Sequence, residues 1–200
     1  MHEKEFKVTA KNKNIDLDNP PILYISNIGS NTKSFKDASN ALSSEYSVIQ
    51  FDPNDDIYIN EDKSINTDNC IANILKILDI NNLNAIHIIS NGVSAYLACI
   101  FALKYPDYVK SMIFEDYTIE FNIHNISLKL DINKIVHPTL LLRGSKSKIV
   151  SSQQNQTVVM SNQFLRSSSV ENVEMNGHSN NVDVFVSQVS KFISIYSWFN

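Results

Sequence analysis

The chain has 200 residues and a mass of 22.7 kDa, which suits one domain over residues 1–200 better than two small ones. Hydrophobic residues make up 43% of the chain, too large a share for a disordered protein. The formal net charge of -4, the sequence pI near 5.7 and the lack of any basic run with interleaved aromatic residues exclude a typical nucleic-acid-binding protein.

The sequence shows no sign of a membrane or secreted protein. No stretch approaches the ~18 continuous apolar residues of a membrane span. The start, Met1 to Glu5, is charged and lacks the apolar core of a secretory signal. Cys70 and Cys99 both fall in apolar helical patterns, which favours two small buried hydrophobic residues over a disulfide. We therefore expect a cytoplasmic protein without a membrane partner.

Strand-like and helix-like segments alternate along the chain. Strands are predicted at Ile22–Ser26, Val48–Phe51, Ala85–Ser90, Ser111–Phe114, Thr139–Leu142 and near Ser169–Val173, and helices at Ser34–Ser44, from Cys70 to Leu78, at Val93–Tyr105, near Ser152–Asn162 and at Val182–Tyr196. Phe6–Thr9 and Asn14–Leu17 are candidates for an antiparallel edge hairpin, and Tyr117–Lys134 shows only mild helical character. This order predicts an α/β fold with a doubly wound, mostly parallel sheet and helices on both faces.

Several local motifs resemble the α/β-hydrolase superfamily. They are Pro21–Ser30, Phe51–Asp52, Ile88–Ala98 with its continuation Lys104–Val109, Pro138–Gly144, and Asn176–His178. The resemblance extends over most of the chain from about Pro20 onward. It implies an α/β-hydrolase fold with a reduced cap, because only about twenty residues separate Asp116 from Pro138, where relatives insert a helical lid.

In this superfamily, the nucleophile occupies a sharp strand-to-helix turn with the pattern G-x-S-x-G. Aligned on that pattern, Ser90 takes the place of the first glycine, Asn91 the variable position, Gly92 that of the serine and Ser94 that of the second glycine. Gly92 suits the turn but offers no side chain to attack a carbonyl. Ser90 and Ser94 flank the turn and are weaker candidates for a displaced nucleophile.

The resemblance implies that His178, which follows Gly177, is the general base and faces the pocket. The acid position is less clear, since relatives carry an aspartate near Ser147 or Lys148, and a lysine there would oppose an imidazolium charge. Asp116 is a possible acid, as is Glu115, both at the end of the fourth predicted strand. A plain strand-ending role for this pair is the favoured alternative.

The oxyanion site of the superfamily is also altered, because Ser26-Asn27 replaces the usual His-Gly. The backbone N–H groups of Ile28 and Val93 can still converge, since such donors do not depend on the side chain. The residues expected to line the cleft and bind are Ser26, Asn27, Ile28, Asn91, Val93 and Ser94.

The sequence predicts neither a metal site nor a bound cofactor. No histidine pairs with Cys, Asp or Glu at a ligand spacing. The glycines form neither G-x-G-x-x-G nor a P-loop. His87, inside an apolar strand, is predicted to be a satisfied core residue rather than a ligand.

The function that follows is an α/β-hydrolase-type protein with a degenerate triad, inefficient as a serine hydrolase, that binds a small ligand or a protein partner in the ancestral cleft. Whether any catalysis survives is open. The alternatives are an enzyme using His178, either esterase-like or a non-hydrolytic lyase or cyclase, and a scaffold or oligomer subunit. The apolar C-terminal residues Phe192, Ile195, Trp198 and Phe199 motivate the last alternative; the oligomeric state is open.

Overall fold

A computed structural model describes residues 7–9, 20–28, 32–54, 56, 58–59, 65–123, 126–149 and 151–196. Its strands are β1 (Lys7–Thr9), β2 (Ile22–Ile25), β3 (Val48–Phe51), β4 (Tyr58–Ile59), β5 (Ile65–Asn66), β6 (Ile86–Asn91), β7 (Val109–Glu115), β8 (Glu120–Ile123), β9 (Ile126–Lys129), β10 (Thr139–Gly144) and β11 (Leu165–Val170). Its α-helices are α1 (Lys36–Leu42), α2 (Asp68–Ile80), α3 (Ser94–Lys104), α4 (Ser152–Ser161), α5 (Gly177–Asn180) and α6 (Val182–Tyr196).

Seven of these described strands form one sheet in the order β1–β3–β2–β6–β7–β10–β11. Strands β3 to β11 of this sheet pair in parallel, and β1 pairs antiparallel with β3 at the edge. The strand order runs from β2 to β3 in one direction and, after the chain crosses back to β6, in the other direction through β7, β10 and β11, which places helices on both faces. The predicted doubly wound, mostly parallel sheet is confirmed.

Each face of the sheet has its own hydrophobic core. On one face, Ile74 of α2 and Phe101 of α3 pack against the sheet, and Val158 of α4 joins them. On the other face, Leu42 of α1 and Phe185 of α6 pack together against Ile89 and its neighbours. The central strands are buried on both sides, which is why they read as continuous apolar runs.

Two predicted elements differ in the structure. The segment Tyr117–Lys134, predicted as mildly helical, contains the antiparallel hairpin β8–β9. Its second strand, Ile-Ser-Leu-Lys, alternates apolar and polar residues with the period of a strand, which outweighs its weak helical character. The last strand spans Leu165–Val170, so it begins four residues before and ends three residues before the predicted Ser169–Val173. The proposed edge strand Asn14–Leu17 lies outside the described residues.

Several predicted core residues are buried as expected. His87 has no exposed surface and its Nδ1 atom lies 2.8 Å from Ser111 Oγ, but its buried Nε2 atom has no hydrogen-bond partner among the described residues, so the predicted satisfied histidine is only half satisfied. Burial lowers the pKa of this imidazole to about 4. Cys70 and Cys99 are buried, and no disulfide joins them. Phe192 of α6 is packed in the core, whereas Ile195 is half exposed and Trp198 and Phe199 lie outside the described residues. No helix in the described ranges combines the length and apolarity of a bilayer crossing.

Asparagine takes the left-handed backbone conformation at three turns of the described chain. Asn82, Asn172 and Asn176 have φ values of 52°, 62° and 53°. Asparagine tolerates this region better than other residues with a Cβ because its short amide bonds locally. Asn176 directly precedes the short helix α5, so its conformation helps to set the direction in which that helix begins.

Gly144 lies where β10 passes close to the backbone of the loop that follows β11. A Cβ at this position would overlap Val173 O and come within 2.6 Å of Glu174 O. We expect Gly144→Ala to lower the free energy of unfolding by about 2 kcal/mol or more, because backbone atoms cannot rotate away. Lys146→Ala, at an exposed position two residues later, is the control, and urea denaturation of both variants measures the difference. Equal stability of the two variants would contradict this packing.

Candidate functional site

Three adjacent parallel strands end together at the carboxyl edge of the sheet. Strand β2 is followed by Ser26-Asn27, β6 ends at Asn91 before Gly92, and β7 ends at Glu115 before Asp116. Because β2, β6 and β7 are neighbours and run in the same direction, these segments lie side by side. The edge therefore brings together most of the residues that the sequence singles out.

Gly92 stands at the corner between β6 and α3, where the sequence places it. Its φ of 58° is in the left-handed region that favours glycine. Its N–H donates to Glu115 O at 2.8 Å, which fixes the corner against β7. The corner carries no side chain that could act as a nucleophile.

The side chain of Asn27 fills the space in front of this corner. A Cβ added to Gly92 would lie 2.8 Å from Asn27 Oδ1 and 2.9 Å from its Cγ. Asn27 Oδ1 also accepts a hydrogen bond of 3.1 Å from the backbone N–H of Val93. That N–H is one of the two donors predicted for the oxyanion hole, and here it is occupied by the protein itself; the other predicted donor residue, Ile28, is partly exposed nearby.

The serines beside the corner are held in structural contacts or buried. Ser94 Oγ donates to Ser26 O at 2.5 Å and so ties the start of α3 to the end of β2. Ser90 and Ser26 have no exposed surface. Neither Ser90 nor Ser94 stands at the tip of the turn, which is taken by Gly92.

The His178 side chain forms a buried pair with Glu115. His178 lies in the first turn of α5, and its Nδ1 atom is 2.6 Å from Glu115 Oε2. The His178 backbone N–H donates to Glu115 Oε1 at 3.0 Å, and Asn91 Nδ2 donates to Glu115 Oε2 at 2.8 Å. Glu115 and His178 are each 1% exposed, so this carboxylate is satisfied by three protein donors rather than by solvent.

Glu115, and not Asp116, is the carboxylate against the imidazole. Side chains alternate along β7, so Glu115 lies on the same face as Ile113 and points toward the side of the sheet that α5 and α6 cover. Asp116 follows the strand with a φ of 48° and instead accepts the Asn176 N–H at 2.5 Å. The alternation of β7 was the sequence signal that separates the two acids.

Asp116 has an unusual titration because of where it lies. Burial, together with the nearby charge of Glu115, raises the pKa of the Asp116 carboxyl to about 6. Its bond to Asn176 holds the residue two positions before His178, so Asp116 positions the loop that carries the imidazole.

Three aromatic rings pack around the imidazole of His178. The ring centroids of Tyr24, Phe35 and Phe185 lie 6.1, 5.7 and 6.1 Å from that of His178. The His178 Nε2 atom is buried and has no hydrogen-bond partner among the described residues. The resemblance predicts that this side chain faces a pocket; in the structure, it lies inside the protein. The three rings were missed because each reads as an ordinary apolar core position.

The loop after β10 supplies no acid to the site. Lys148 is exposed, and its Nζ atom lies 4.0 Å from Glu174 Oε1 at the surface. Within the described residues, no group of three or more His, Cys, Asp or Glu side chains is arranged to hold a metal ion.

Solved structures of hydrolases superpose on nearly the whole chain. A predicted CIB-like hydrolase from Thermoplasma acidophilum is 16% identical with a TM-score of 0.67, covering 94% of this chain and 99% of its own. A thermophilic esterase from Thermogutta terrifontis gives 10% identity, a TM-score of 0.75 and coverage of 96% and 93%. A meta-cleavage product hydrolase from Pseudomonas fluorescens is 14% identical with a TM-score of 0.73, covering 95% of this chain and 93% of its own. No protein-family model matches the chain, and no curated protein matches it in sequence.

The raised pKa of Asp116 predicts a specific pH dependence of stability. A carboxyl whose pKa is higher in the folded than in the unfolded state stabilises the fold below about pH 4 and loses that contribution as the pH rises to about 6. We expect Asp116→Asn to gain stability relative to the wild type over this range, by about 3 kcal/mol at most. Urea denaturation at several pH values measures the change. Asp79→Asn, at an exposed position of α2, is the control. Parallel curves for wild type and Asp116→Asn would contradict the burial of this charge.

The contact between Asn27 and the corner predicts coupling between the two positions. We expect Gly92→Ser to destabilise the fold, because its Cβ would overlap the Asn27 amide and its φ is positive. In an Asn27→Ala background, the loss should shrink by about 1 kcal/mol, since the overlap is gone while the backbone strain remains. A double-mutant cycle by thermal or urea denaturation measures this coupling. Additive losses would show that the Asn27 side chain does not occupy the corner.

Proposed function

We propose that this chain, which has the α/β-hydrolase fold, does not perform serine-hydrolase chemistry and binds a small ligand or a protein partner in the ancestral cleft at the carboxyl edge of its sheet. The observation that carries the proposal is the Asn27 amide. It fills the space in front of Gly92 and accepts the Val93 N–H, so it stands where both a nucleophile and a developing oxyanion would need room.

The lack of a nucleophile and of a free oxyanion donor should lower the rate of ester hydrolysis by a large factor. Removing one oxyanion donor from an acyl-transfer enzyme costs roughly 10²–10³ in rate. The nucleophile splits the reaction into two easier steps, and a general base without a nucleophile to deprotonate cannot replace it. Even with His178 and Glu115 in place, efficient ester hydrolysis is not expected.

The His178–Glu115 pair has a structural role in this proposal. A buried carboxylate without partners would destabilise the fold by several kcal/mol, and this one is satisfied by three donors. The Nε2 atom of the imidazole is buried, and the Phe35 ring lies 5.7 Å from the imidazole centroid. The pair therefore joins β7 to α5 instead of meeting substrate.

A second candidate function is that of an enzyme using His178 as a general base without a covalent intermediate, such as a lyase or cyclase. The unpartnered Nε2 atom and the contact of Nδ1 with a carboxylate favour it, because together they orient the imidazole for proton abstraction. The burial of Nε2 opposes it, since the base must reach a proton of the substrate.

We also propose a cytosolic location, which the lack of a disulfide between the two buried cysteines supports. The partner that binds at the edge is part of the same proposal.

A screen of ester and thioester substrates tests the proposal, with wild type, His178→Ala and Gly92→Ser compared under identical conditions. We expect no turnover above buffer for the wild type and no labelling by a fluorophosphonate probe, because no side chain stands at the corner. Robust wild-type hydrolysis that His178→Ala abolishes would end the proposal. Turnover in an elimination or cyclisation assay that resists the fluorophosphonate but disappears in His178→Ala would establish the second candidate instead.

A further inference from the structure

A separate cavity of about 640 Å³ lies near the carboxyl end of β7, between the segment that follows this strand and the first turns of α4. Its lining residues come from these two elements and from the loop before α4: Tyr117, Thr118, Ile119, Glu120, Ile149, Gln153, Gln154, Thr157 and Val158. Gly92, Asn27 and His178 are not among them. The volume falls in the range of about 300–1,000 Å³ that small-molecule sites occupy.

The walls of this cavity are fixed by hydrogen bonds. The buried Tyr117 hydroxyl donates to Asn155 Oδ1 at 2.6 Å, which joins the segment after β7 to α4. The first turn of α4 is closed by a capping box, in which Gln154 N donates to Ser151 Oγ at 3.1 Å and Ser151 N donates to Gln154 Oε1 at 2.9 Å. Walls held in this way need little ordering when a ligand binds.

The chemistry of the lining has a clear division. Ile119, Ile149 and Val158 supply an apolar surface, and the threonine and glutamine side chains supply neutral polar groups. Among the lining residues, Glu120 is the one with a formal charge, and its carboxylate is exposed and 3.9 Å from Lys129 Nζ. The Arg143 guanidinium, whose charge acts on the Tyr117 phenol, donates to Gly144 O and Ser152 Oγ.

We infer that this cavity binds a small organic amine, with its apolar body against Ile119, Ile149 and Val158 and its ammonium group toward Glu120. A carboxylate or phosphate ligand would bring a second negative charge beside Glu120 without a cation in the lining to offset it. The inference goes beyond the proposed function, because this cavity is separate from the cleft in front of Gly92, and it does not depend on the absence of hydrolysis.

Three probes of equal size and different charge test the site: 4-phenylbutylamine, 4-phenylbutan-1-ol and 4-phenylbutyrate. We expect ligand-observed NMR and calorimetric titration to rank binding as amine, then alcohol, with the carboxylate weakest. Thr157→Trp fills the cavity and should abolish binding of the amine, whereas Gln156→Trp, the same change at the adjacent exposed position outside the lining, should leave it intact. Glu120→Gln should weaken the amine about two- to fivefold and leave the alcohol unchanged.

Failure of the amine to bind, or equal binding of amine and carboxylate, would overturn the inference, as would unchanged binding in Thr157→Trp. Circular dichroism of each variant confirms that it is folded. Because none of these variants touches Asn27, Gly92 or His178, the hydrolase screen and the binding titrations fail independently of each other.

Discussion

The buried carboxylate of Glu115 is the constraint on which the carboxyl edge of this protein depends. A carboxylate with 1% of its surface exposed must be satisfied by protein donors. They are Asn91 Nδ2, the backbone N–H of His178 and the ring Nδ1 of His178. These donors come from β6 and from α5, so the Glu115 side chain on β7 fixes the positions of its neighbour β6 and of α5. Hydrogen bonds to an ionised group are stronger than neutral ones, which makes this network a firm attachment for α5.

The same edge shows how chemical groups can be retained and lost separately. An imidazole on a carboxylate contributes to folding whether or not it reacts, whereas the space in front of a nucleophile contributes nothing unless something fills it. Here Asn27 fills it and satisfies the Val93 N–H at the same time, while Ser94 joins the same helix start to β2. On the function proposed above, contacts within the chain have replaced contacts with substrate.

The sheet and its helices were predictable because apolar runs such as Ile86–Asn91 indicate strands that are buried on both faces. The corner between β6 and α3 was predictable because Asn91-Gly92 interrupts such a run. The residues around His178 were not predictable from the sequence. Which of Glu115 and Asp116 contacts the imidazole depends on which face of the sheet the last residue of β7 points to. The rings around His178 and the α4 cavity were missed for another reason: each joins residues far apart in sequence, with no local pattern to mark the contact. The β8–β9 hairpin was missed because its period-two pattern is only a few residues long.

The asparagines in left-handed turns have a consequence for the denatured chain. The sequence has only 4 glycines, and Asn82, Asn172 and Asn176 occupy backbone positions where glycine is the usual choice. Glycine has more freedom to lose on folding than any residue with a side chain. With asparagine at these turns, the native backbone carries a small local strain, and the denatured chain has fewer accessible conformations than it would with glycine. Part of the free energy of unfolding therefore comes from the denatured state rather than from contacts in the folded structure.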